Sequence, residues 1–73
     1  MEKQYTSLSA ATVGTVTFEY ISEIEDVTGL YVVQTGTVAA PVSGVSWSDN
    51  KVTVNFGATV TGTVHVTAIG WQG

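Results

Sequence analysis

Residues 51–71 read KVTVNFGATVTGTVHVTAIGW, with Val and Thr alternating through most of the stretch. Apolar residues at a period of two mark a strand with one buried and one wet face, because successive side chains of a pleated backbone point to opposite sides. A helix would scatter the same valines around its cylinder. The rest of the chain keeps this period, with Gly and Ser-Asp-Asn clusters as punctuation. The pattern predicts an all-β fold, a small antiparallel β-sandwich (Ig-like or an open barrel) of five to six strands. Strands are expected near residues 12–21, 28–38, 42–48, 51–57 and 61–71. An extended N-terminal arm over residues 1–11 precedes a β domain over 12–73.

Individual segments refine this expectation. TVGTVTFEYI sets Val16, Phe18 and Tyr20 on one face, against Thr15, Thr17 and Glu19. SEIEDVTG reads as a solvated acidic loop, and TGLYVVQTGTV, apolar on both faces, as a central strand. Pro41 has no amide donor and is placed at or before the next strand, at an edge. In VSWSDNKVTV, a two-residue turn at Asp49-Asn50 sets Trp47 opposite Val52, Ser46 opposite Thr53 and Val45 opposite Val54. That register puts Val45, Trp47, Val52 and Val54 in the core, and a one-residue slip would destroy the sorting. GATVTG, bracketed by Gly57 and Gly62, is expected to reverse the chain. The last strand then turns Val64, Val66 and Ala68 inward, with Thr61, Thr63, His65, Thr67, Ile69 and Trp71 outward.

Composition narrows the function. Seventy-three residues form one domain near the lower size limit for a self-sufficient core, and the chain has no cysteine to staple it. One histidine does not make a structural zinc site, which wants four ligands. Burial against other subunits is the remaining device, so a homo-oligomer is expected. With a net charge of −4, two lysines and no arginine, neither nucleic acid nor an anionic membrane surface is expected as a partner. No apolar run nears the roughly 20 residues of a spanning helix, and MEKQYTSLSAATVG lacks an apolar signal core.

The candidates for chemistry are few. His65 as a general base would need a carboxylate or nucleophile held within hydrogen-bond reach, and no motif supplies one. Glu19, Glu23, Glu25 and Asp26 lack the spaced pattern of a calcium loop. Tyr31, Trp47 and Trp71 could form a platform for sugar rings, although aromatics also dominate interfaces and small β-cores. The expectation is no enzyme, no catalytic residues, no cofactor and no metal. Assembly is the expected task, with Tyr5, Leu8, His65, Ile69 and Trp71 as interface residues. The arm MEKQYTSLSAA, with little to pack within the domain, is expected to lie over a neighbour and order on binding. Its removal should then leave the isolated fold intact.

The run from Val45 to Gly70, VSWSDNKVTVNFGATVTGTVHVTAIG, resembles the ends of small β-sandwich modules in virion proteins of tailed bacteriophages. Val52–Ala58 (VTVNFGA) and Val60–Val64 (VTGTV) carry the resemblance most directly, and Gly29–Gln34 extends it over residues 28–70. It implies a virion structural protein synthesised in the host cytoplasm. A small module without a fibre shaft points to a head-decoration protein on the capsid surface. Such a protein would bind and stabilise the shell through the major capsid protein or another virion protein, as a trimer or higher ring. A tail-fibre or host-attachment (glycan-binding) module is the alternative. No site residue is carried over, since Phe18-Glu19-Tyr20-Ile21 stands where related modules often have a His.

Overall fold

In the computed structural model, which describes residues 1–35 and 42–72, the chain is an antiparallel sheet of four strands. These are β1 (Glu2–Thr17), β2 (Glu23–Gln34), β3 (Val42–Ser48) and β4 (Lys51–Trp71). The Val/Thr strand β4 is the centre. One of its edges carries β1 along nearly the whole length, from Glu2↔Ala68 to Thr17↔Lys51. The other edge is divided, with β3 paired to residues 51–56 and β2 to residues 62–71.

A straight strand of this length cannot fit the molecule. At a rise of about 3.3 Å per residue, β4 would span roughly 69 Å, whereas the longest dimension is 39 Å. β4 therefore bends, and several features place the bend between its β3 and β2 segments. Gly57, Ala58 and Thr59 are all exposed, breaking the alternation of burial. The β1 register shifts between Leu8 and Ala11 and again before Val13. Ala10 takes φ 50° there, and its N–H donates to Thr61 Oγ1 at 3.0 Å. Such irregularities strengthen local twist and bend a strand without ending its pairing.

The bend turns the inner faces toward each other over one core. Val52, Val54 and Phe56 come from the first half of β4, and Val64, Val66 and Ala68 from the second. Val60 from the bend of β4, with Leu8, Val16, Phe18, Ile21 and Ile24, completes it. Gly14, paired with Val54 in one half, lies so close to the other that a Cβ would sit 3.0 Å from Leu8 Cδ2 and 3.7 Å from Val64 Cγ2. Hydrogen bonds close one end. Asn50 accepts from the Phe18 N–H at 2.9 Å and donates Nδ2–H to the Phe18 carbonyl at 3.0 Å. The Asp49 carbonyl accepts from Ile24 N–H at 2.8 Å.

Several expectations change. The strands expected at 51–57 and 61–71 are one bent strand, because β1 pairs with both halves and the ladder resumes after a gap at residues 56–59. The arm is the first half of β1, paired residue by residue to β4. It covers an edge that would otherwise be open, and Leu8 is buried in the core. SEIEDVTG enters β2, since Ile24 and Val27 have inner-face positions to fill. β2 is an edge strand rather than a central one, with Leu30 and Val32 half covered and Tyr31 and Val33 in water. Tyr20 leaves the face of Val16 and Phe18 because β1 ends at Thr17. The Trp47 hairpin has the expected register. Trp47 itself stays 40% exposed because β3 has no neighbour on its outer edge among the described residues. Pro41 and residues 36–38 of the expected second strand lie outside the described residues.

Candidate functional site

On the outward face of the β1–β4–β2 half, the register draws three rings into one row. His65 on β4 pairs with Tyr5 on β1 and with Tyr31 on β2. Cross-strand neighbours on one face stand about 5 Å apart, within reach of aromatic contact. Tyr31 and His65 stack at 4.5 Å between centroids, their planes 10° apart. Tyr5 is tilted by 34° from the imidazole at 5.9 Å. Both tyrosines are largely in water, Tyr5 67% and Tyr31 61% exposed.

One row along, Lys3, Thr67 and Gly29 are in register. Gly29 contributes no side chain, so the row is empty on its β2 side. Between the two rows lies a hollow of about 140 Å³, walled by Lys3, Tyr5, Tyr31, His65 and Thr67, with Gln4 and Val66 beneath. Among the described residues no carboxylate lines it. His65 therefore has no acid beside it to orient an imidazole for proton transfer.

A second depression of about 310 Å³ opens between β2 and β3, lined by Val27, Thr28, Gly29, Leu30, Val45 and Trp47. Here the folded sheet is not closed by a strand among the described residues, so inner-face side chains reach water.

Of the residues expected at an interface, Tyr5, His65, Ile69 and Trp71 share the outward face. Leu8 does not, because it is only 7% exposed and packs in the core. Tyr31, Trp47 and Trp71 do not form one platform. Trp47 lines the β2–β3 cleft, and Trp71 pairs with Glu23, far along the strands from the Tyr31–His65 pair. Lys3 is not legible as a site residue in the sequence. Its signal, a position two before Tyr5 in a strand, becomes readable only once residues 2–8 are known to be a strand. Glu19, Glu23, Glu25 and Asp26 are all exposed, and no group of three or more His, Cys, Asp or Glu among the described residues could hold a metal ion.

Glu2 carries the clearest electrostatic signature. Its carboxylate accepts from the backbone N–H groups of Glu19 and Tyr20, both at 2.9 Å, and from Gln4 Nε2 at 2.7 Å. Partial burial pushes the carboxyl up. The bonds from Gln4 and from the amides of Glu19, Tyr20 and Ile21 together outweigh it and hold the group below the usual carboxylate range. No family model, curated protein or solved structure matches the chain.

Proposed function

We propose that this chain is a bacteriophage virion structural protein, a capsid (head) decoration protein that binds the shell by protein–protein contact and stabilises it. On this reading the folded-over sheet is a small antiparallel sandwich, acting as a rigid clip rather than a catalyst. The observation that supports it is the amount of large apolar side chain left in water. Tyr20, Val33, Val42, Val45, Trp47 and Trp71 are all exposed in a chain of 73 residues. Aromatic groups in such numbers are the composition of protein interfaces. The resemblance over residues 28–70 supplies the virion as the setting, and the small size of the module without a fibre shaft favours the capsid as the partner. Repeated copies at a symmetry axis, a trimer or higher ring, supply further contact area. Docking centres on Ile69 and Trp71 at one end of the outward face. Trp71, 57% exposed, is its anchor.

The test is co-sedimentation of wild type and Trp71→Ala with purified capsids, beside thermal melts of both proteins. Because the side chain contributes little to the core, the variant should melt within a few degrees of wild type and lose most of its capsid retention. A large melting defect with normal retention would overturn the assignment. The Tyr5–His65–Tyr31 row favours the second reading, a tail-fibre or host-attachment module. Labelling the protein on assembled particles separates head from tail.

A further inference from the structure

The hollow beside the Tyr5–His65–Tyr31 row has features that protein docking at the Trp71 end does not use. Its walls are polar at their tips. Lys3 offers an ammonium with donors only, while the two tyrosines and Thr67 carry hydroxyls that both donate and accept. The side-chain polar atoms of Lys3, Tyr5, Tyr31, His65 and Thr67 make no hydrogen bond within the protein among the described residues. These groups are therefore free to meet a ligand.

Charge and size then select the ligand. The chain carries six acidic residues against two lysines, yet this hollow holds one of the lysines and no acidic residue. A carboxylate is favoured at that spot on an otherwise acidic molecule. The mixed hydroxyl, imidazole and ammonium set exceeds what one carboxylate can use, and it matches a ring bearing several hydroxyls. Tyr31 and His65 turn their faces to each other, so the edges of the stacked rings supply a van der Waals wall for the C–H groups of such a ring. At about 140 Å³ the space lies below the roughly 300–1,000 Å³ of pockets for drug-sized ligands, so it takes one ring and not an oligosaccharide.

We propose that the hollow between Lys3 and the Tyr5–His65–Tyr31 row binds a single carboxylate-bearing pyranose, the carboxylate on Lys3 and the sugar ring against the aromatic row. This site is independent of capsid docking through Trp71, and its failure would leave that reading untouched.

Titration of the isotope-labelled full chain with D-glucuronate, glucose and acetate, at matched ionic strength and followed by amide NMR shifts, tests it. Glucuronate should give saturable shifts at residues 3–5, 29–31 and 65–67. Glucose and acetate should each bind about tenfold more weakly, the scale of losing one charge-assisted or ring contact. Lys3→Gln should remove the preference for glucuronate over glucose. Tyr31→Ala should weaken both sugars while the remaining spectrum reports an intact fold. Absence of saturable shifts, or shifts centred elsewhere, would overturn the proposal. So would acetate binding as tightly as glucuronate, which leaves no role for the ring, or glucose doing so, which leaves none for Lys3.

Discussion

Single residues hold the fold at places where the chain would otherwise come apart. Glu2 ties the start of β1 to residues 19–21 with one carboxylate and successive backbone amides, the arrangement by which consecutive N–H groups bind anions. Its folded pKa is depressed, so the sign of the linkage is fixed. The stabilisation is fully present above the unfolded value of about 4.3 and is lost as pH falls through the folded value. Glu2→Gln should therefore lower stability at neutral pH, and the gap to wild type should shrink as pH drops below about 4. Urea melts across pH 3–7 measure this; a gap constant with pH would remove Glu2 from the account. The identity of Glu2 as a clamp was not legible in the sequence, since its partners lie 17 and 18 residues away.

The elements owe their shape to one bent pair. β1 and β4 are paired on both sides of a bend that shortens both, with residues 56–59 of β4 lacking a β1 partner, and the irregular backbone sits at Ala10 and Gly62. Gly62 has φ 152°, and a Cβ there would come within 2.2 Å of the Val33 carbonyl oxygen. Gly62→Ala combines a backbone region close to glycine-only with an overlap against backbone. A loss of about 2–3 kcal/mol or more is expected in denaturant melts. Deleting residues 1–9 removes half of β1, exposes Val64 and Val66 beside an unpaired β4 edge, and takes Glu2 away. The truncated chain should be unfolded or aggregated by circular dichroism and size exclusion. A folded monomer would instead restore the picture of a free arm. The polar composition of residues 2–9 hid this strand, because only alternate positions need to be apolar and Thr6 and Gln4 occupy inner-face places beside Leu8.

At the scale of the whole molecule, the two halves of the folded sheet share one core, and unfolding one without the other would expose Val64 and Val66 or Val52 and Val54. Trp47 reports on the half with β3, and Trp71 on the half with β2. Single-tryptophan variants Trp47→Phe and Trp71→Phe should show coincident denaturant midpoints once corrected for their own stability changes. Separated transitions would mean two cooperative units. The sequence alone determined the β class, the inward face of β4 and the Trp47–Val52 register. Each of these follows from the two-residue pleat and a two-residue turn acting locally. Only the tertiary structure decided that GATVTG bends instead of turning, that the arm is a strand, and that Tyr5, His65 and Tyr31 form a row. Those outcomes depend on which distant segments pair, with Tyr5 and His65 sixty residues apart in the chain and adjacent across the ladder. Strand partners are set by closing a common core, and the alternation of one segment carries no record of which neighbour will close it.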